Sequence, residues 1–119
     1  MVYWITGKAG AGKTVKAYLL KREFEGLGKK VFILDGDEVR EKIKAGFTDE
    51  ERYNHIMRIA SFASLAEDQG FVVIISLISP RRDWRKEARK MFKESKLIYV
   101  QGGTLWEGTS YEEPDSEEL

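Results

Sequence analysis

Gly7-Lys8-Ala9-Gly10-Ala11-Gly12-Lys13-Thr14 has the spacing G-x-x-x-x-G-K-[ST]. Each residue type in that pattern has a task around a polyphosphate. Glycines let the backbone curl until successive N–H groups face one anion. Lys13 reaches the β and γ phosphates of a nucleoside triphosphate, and the Thr14 hydroxyl ligates Mg²⁺. A helix starting at Lys13 adds the partial positive charge of its N-terminus. Residues 7–14 are therefore the expected site for a nucleoside triphosphate and Mg²⁺.

Asp35-Gly36-Asp37 is the second chemically pointed stretch. Phosphoryl transfer needs a phosphate cradle, a metal, in-line positioning, and a group that orients or deprotonates the acceptor. Asp35, at the end of an apolar strand, either accepts a proton from an acceptor hydroxyl or holds Mg²⁺ through water. Asp37 either faces the ligand beside it or caps the following helix. The third strand ends in Ser76 to Ser79 rather than in a Walker B acid, so metal binding falls to Thr14, the nucleotide and Asp35.

Arg81, Arg82, Arg85, Lys86, Arg89, Lys90, Lys93 and Lys96 form a basic block. Such a run reads as a solvated helix face, with Arg82 and Arg85, nearest the ligand edge, set apart. The block lacks interleaved aromatics and the chain is neutral, which argues against a nucleic-acid surface. The lone His55 is either structural or ligand-facing. Phe47 follows Gly46 in a loop, where an aromatic stacks on a base or plugs the core.

The elements that position these residues follow from periodicity. Val2 to Thr6 reads as a buried strand. Thr14 to Leu27 is helical, with Val15, Leu19, Leu20, Phe24 and Leu27 at helical spacing. Lys30 to Leu34 is the second strand. Glu38 to Lys44 is a short helix closed by Gly46. Thr48 and Glu51 form a capping box for a helix to about Gln69, with Ile56, Ile59, Ala60, Ala63 and Ala66 inward. Phe71 to Ile78 is a nearly unbroken apolar run, as expected of a strand buried on both faces. Ser79 and Pro80 open a helix to about Glu94, with Trp84, Ala88, Met91 and Phe92 inward. Lys96 to Val100 is the fourth strand, and residues 104–119, with Trp106 and Tyr111, have no regular period.

This alternation predicts one α/β domain over residues 1–119 on a mostly parallel four-stranded sheet; with the phosphate loop it resembles the three-layer P-loop NTPase fold, which implies the strand order 2-3-1-4. Ligands bind at the carboxyl ends of such strands, where residues 7–14, 35–37, 79–82 and 102–103 converge. An open sheet edge makes a homodimer a reasonable expectation.

Composition sets outer bounds. The 119 residues are 42% hydrophobic and 34% charged, as in an ordinary globular protein. There is no cysteine, hence no disulfide framework, thiolate metal site or cysteine nucleophile. A strand at the N-terminus leaves no room for a signal peptide, and no apolar run is long enough to span a membrane, so a cytoplasmic location is expected. All 20 Lys and Arg fall by Lys96, whereas six of the 20 Asp and Glu follow residue 106, so residues 1–106 carry +6 and the tail −6. The basic body suits a polyphosphate. The acidic tail is either solvated and mobile or folded back on the body.

Taken together, the motifs resemble the adenylylsulfate kinase family, which phosphorylates the 3′-hydroxyl of adenosine 5′-phosphosulfate (APS) with MgATP. The resemblance rests on Gly7 to Thr14, on Leu34-Asp35-Gly36-Asp37-Glu38-Val39-Arg40, on Gly46-Phe47-Thr48 through Arg52 to Arg58, on Ile78-Ser79-Pro80-Arg81-Arg82 with Arg85 and Arg89, and on Tyr111-Glu112-Glu113-Pro114. It implies that Lys13 and Asp35 are catalytic, with Asp35 as base or metal organiser. It places Asp37, Arg40, Phe47, Arg52, His55, Ile78, Ser79 and Arg82 on the substrate side. Arg40 and Arg52 would hold its phosphosulfate or ribose, Phe47 would stack on its adenine, and Ile78 and Ser79 would line its pocket.

Two departures stand out. Where the family has Glu-Asn-Ile-Arg-Arg, this chain has Asn54, His55, Ile56, Met57 and Arg58. The family's basic lid and helix are replaced by residues 101–110, and its fifth strand and last helix would fall beyond Leu119, either because this is a minimal version or because the chain is truncated there. Lids exclude water and complete catalytic sets. Weak nucleotide retention, slow transfer and some ATP hydrolysis are expected. The alternatives are another hydroxyl acceptor, a nucleoside or polynucleotide end, or a lidless ATP-binding module acting through a partner.

Overall fold

The computed structural model describes residues 1–105 and 109–119. Trp106 of the aperiodic tail lies outside the described residues. In chain order the elements are β1 (Val2–Thr6), α1 (Lys13–Gly26), β2 (Val31–Asp35), α2 (Gly36–Ile43), α3 (Asp49–Asp68), β3 (Val72–Ser76), α4 (Arg82–Arg89) and β4 (Ser95–Tyr99). The sheet order is β2-β3-β1-β4, and every pairing is parallel. β3 is central, and Val73, Ile74 and Ile75 have no exposed surface. Each such side chain contributes about 1.5–3 kcal/mol of burial.

The two-residue period divides β1 between two layers. Val2 and Trp4 face α3 and α4, in a core with Ile56, Ile59, Ala60, Ala63 and Ala88. Ile5 faces α1 with Ile74 and Ala17. Thr48 caps α3 by accepting the Glu51 N–H at 3.1 Å, and its own hydroxyl donates to the Glu51 carboxylate at 2.9 Å.

Several local expectations need correction. In α1, Val15, Leu19 and Leu27 are 67%, 53% and 73% exposed. The helix instead turns Ala17, with Leu20, to the sheet. Spacing gives the period of a helix, but the neighbouring layer selects the phase. α2 is closed by Lys44 in a left-handed conformation (φ 54°), not by Gly46. α4 begins two residues after Pro80 and has no side-chain cap. Ser79 does not cap it, because its φ of 45° and its hydroxyl serve another network. α4 also ends early. Bonds from Lys90, Met91 and Phe92 to carbonyls three residues back tighten the chain into turns, leaving Met91 41% exposed.

The acidic tail folds back. Glu112 N–H donates to the Pro80 carbonyl at 2.7 Å, and Glu118 is buried against α4. No helix among the described residues is long and apolar enough to cross a membrane.

Candidate active site

All four strands deliver their carboxyl ends to one side, where a cavity of about 400 Å³ opens. After β1, Gly10 and Gly12 take φ values of 74° and 101°, which bend residues 7–14 into a loop. Gly12 is also the N-cap of α1, so the helix N-terminus points into that loop. Lys8, Ala9, Gly10, Gly12, Lys13 and Thr14 line the cavity. Gly7 and Ala11 do not line it. Gly7 is needed for packing, since a Cβ there would come within 2.5 Å of the Val100 carbonyl oxygen at the end of β4. Gly7→Ala is therefore expected to cost about 1–3 kcal/mol, read as a lower urea midpoint.

Lys13 Nζ donates to the Lys8 carbonyl at 2.7 Å. Burial pushes its ammonium below the ordinary lysine range, while Asp37 and Asp35 pull the other way. A partly desolvated ammonium attracts an anionic ligand more strongly than one in bulk water.

Asp35 stands at the mouth of β2. Its Oδ2 accepts from the Thr14 hydroxyl at 3.3 Å. Its Oδ1 accepts the N–H groups of Asp37 and Glu38 at 2.9 and 3.3 Å, which caps α2. Asp37, offered from sequence as the capping residue, is not the cap and lines the cavity. The adjacent Thr14 and Asp35 oxygens are the hard donor set Mg²⁺ takes alongside phosphate and water. Among the described residues there is no group of three or more His, Cys, Asp or Glu that could hold a metal ion.

A second charged group lines the same cavity. The Arg40 guanidinium stacks 4.5 Å from the Phe47 ring centre and donates to the Gly46 carbonyl at 2.9 Å. Burial lowers the Arg40 pKa; Asp37 opposes this and Arg52 adds to it. Phe47 does not plug the core. It is 57% exposed and lines the cavity with Arg40 and Arg52.

Ile78 and Ser79 also line the cavity. The Ser79 hydroxyl, however, is turned inward. It accepts from Trp4 Nε1 at 3.0 Å and donates to Thr6 Oγ1 at 3.0 Å. Thr6 in turn donates to the Ile78 carbonyl at 2.6 Å and accepts from the Tyr111 hydroxyl at 2.8 Å. Ser79 thus shapes the wall through its backbone.

Three of the residues singled out from sequence lie away from the cavity lining. Arg82 lies outside the cavity, bound through Nε to the Glu113 carbonyl at 2.7 Å. Arg85, set apart as ligand-edge, is wholly buried and forms a two-bond pair with Glu118 at 2.8 and 3.2 Å. His55 is also wholly buried and outside the cavity. Its Nε2 lies 3.0 Å from the Gly36 carbonyl oxygen. Burial, and then the charge of Arg40, holds its pKa below the usual histidine range.

Sequence reasoning missed Thr104 and Leu105, which line the cavity near the phosphate loop. Thr104 N–H donates to the Ala9 carbonyl at 2.9 Å. The available signal was Gly102-Gly103, whose φ values of 96° and 74° turn the chain across the loop.

Comparison with known proteins places this arrangement among relatives. A family model described as adenylylsulphate kinase matches residues 1–118. The chain is 44% identical over 101 residues to an adenylyl-sulfate kinase of Burkholderia ambifaria, covering 83% of this chain and 56% of that one. It is 41% identical over 100 residues to a probable adenylyl-sulfate kinase of Archaeoglobus fulgidus, covering 82% and 64%. The fold superposes with TM-score 0.79 and 29% identity on an APS kinase of Mycobacterium tuberculosis in complex with AMPPNP and APS, over 84% of this chain and 61% of that one. The chain thus spans less than two thirds of the length of each of these relatives.

Proposed function

The chain belongs to the adenylylsulphate kinase family, and from that premise we propose that it transfers the γ-phosphate of ATP to the 3′-hydroxyl of APS. The observation that carries this reading is one juxtaposition. The Asp35 carboxylate stands 3.3 Å from the Thr14 hydroxyl, in a cavity shared by the phosphate loop and the Arg40–Phe47 stack.

In this reading the loop N–H groups and Lys13 bind the triphosphate of ATP and neutralise charge that builds on it during transfer. Thr14 would hold Mg²⁺ directly and Asp35 through water, and the ion would supply further charge neutralisation. Arg40 and Arg52 bind the anionic end or ribose of APS, Phe47 offers a face for its adenine, and Asp37 and the Ile78–Ser79 backbone complete the wall. Asp35 accepts the proton of the 3′-hydroxyl as that oxygen attacks phosphorus, and ADP leaves. His55 and Arg82 stand behind the cavity lining rather than in it. The chain acts as one unit in the cytoplasm, and a homodimer through a free sheet edge belongs to the same reading, tested by sedimentation.

The direct test supplies MgATP with APS and measures 3′-phosphorylated product and ADP separately. Product dependent on both substrates supports the reading. Normal ATP binding with no product from APS would sink the acceptor assignment, and the screen would then pass to nucleosides and oligonucleotide 5′ ends. ADP release without any phosphorylated acceptor would leave an ATPase module, as the short connection after β4 would favour.

A further inference from the structure

His55 lies outside the cavity, yet one of its atoms reaches the turn that carries Asp35. Nε2 is 3.0 Å from the Gly36 carbonyl oxygen, across 19 residues of chain. A carbonyl only accepts, so the proton of this contact sits on Nε2. Nδ1 is buried with no hydrogen-bond partner among the described residues. A side chain present only to fill space would not carry that orphan acceptor, which is costly in a dry interior. Leucine or methionine would fill a similar volume without it. What imidazole adds, and they do not, is the tie to Gly36.

The turn lies close to the end of β3: a Cβ on Gly36 would meet the Leu77 side chain and lie 3.3 Å from the Ser76 carbonyl oxygen. The Asp35 carboxylate is gripped from ahead by the Asp37 and Glu38 amides. His55 holds the same turn from α3.

We propose that His55 is a positioning residue, which fixes the Asp35-Gly36-Asp37 turn so that the Asp35 carboxylate stays within reach of Thr14. The claim about Asp35 chemistry rests on the kinase reading, whereas the claim about the turn does not.

Two readouts separate these. His55→Leu removes the donor and keeps apolar bulk; His55→Gln keeps an amide donor at comparable reach. Hydrogen exchange at the Asp37 and Glu38 amides reports the grip on Asp35 with no substrate present. In His55→Leu these amides are expected to exchange at least about tenfold faster, with the sheet still protected. Transfer to APS is expected to lose about 10- to 100-fold in kcat, as for other groups that orient a site from behind, with KM for ATP within about twofold. His55→Gln should recover most of both. Unchanged exchange in His55→Leu would overturn the proposal. So would loss of protection across the whole sheet with no recovery in His55→Gln, because His55 would then be a packing residue. If the unaltered protein transfers nothing to APS, the kinase reading fails, and amide exchange alone decides the role of His55.

Discussion

Asp35→Asn is expected to lower ATP-dependent transfer by about 10²- to 10⁴-fold, the range for loss of a positioned general base. The choice of asparagine follows from the two tasks of this side chain. Oδ1 caps α2 by accepting from Asp37 and Glu38, and Oδ2 faces Thr14. Asparagine is as good an N-cap as aspartate, so the helix start survives. Its amide group in place of Oδ2 neither accepts a proton nor binds Mg²⁺. Asp35→Ala would confuse the two effects, because losing the cap costs about 1 kcal/mol by itself. The decisive measurement is kcat beside the urea midpoint and ATP affinity. A fall in kcat with the other two nearly unchanged fits the proposed role. Turnover equal to that of the unaltered protein would remove Asp35 from the mechanism.

Breaking the Arg85–Glu118 pair is expected to have the largest effect on stability, about 3–5 kcal/mol for either Arg85→Ala or Glu118→Ala. The side chains are 0% and 1% exposed, so each truncation strands the other charge away from water. The Arg85 guanidinium also donates to the Ser79 carbonyl at 2.7 Å and to the Glu112 carbonyl at 2.8 Å. It therefore clamps the tail to the left-handed Ser79 turn, whose backbone lines the cavity. Urea unfolding of both single variants and the double variant checks this. The double should cost far less than the sum, because removing both charges leaves neither unpaired. Additive losses would show that the pair itself contributes nothing beyond packing. Arg85→Met with Glu118→Leu should recover much of the stability, since apolar replacements of buried pairs are often neutral or better. That double variant should nonetheless bind APS more weakly, because Ser79 loses the donor to its carbonyl.

These two sites show how far the residues can be read in order. Asp35 was legible because its position depends on local pattern. An apolar strand that stops at Asp-Gly-Asp, one crossover after a phosphate loop, must present that turn at the ligand edge of a parallel sheet. The phosphate loop was legible for the same reason, as was α3, whose cap and apolar stripe are both encoded within 21 residues. Arg85 was not legible. Within its charge run it looks like its neighbours, and a run of charges has the same pattern whether a given member meets water or a carboxylate. Its partner lies 33 residues away in a stretch with no period.

Other misreadings share that cause. The apolar residues of α1 promise one buried face, but a single sheet can cover only part of the helix, and packing turned Ala17 inward while Val15 and Leu19 stayed in solvent. His55 offered a ligand-like side chain on a helix facing the site, and only the docking of α3 behind the Asp35 turn decided that it contacts backbone instead. By itself the sequence determined the phosphate loop, the alternating elements and the carboxylate at the mouth of β2, because each depends on residues close along the chain. The tertiary structure alone decided which charges are buried and which apolar faces stay open. It also decided which backbone atoms form the cavity wall, since those outcomes depend on groups that meet only after the layers pack.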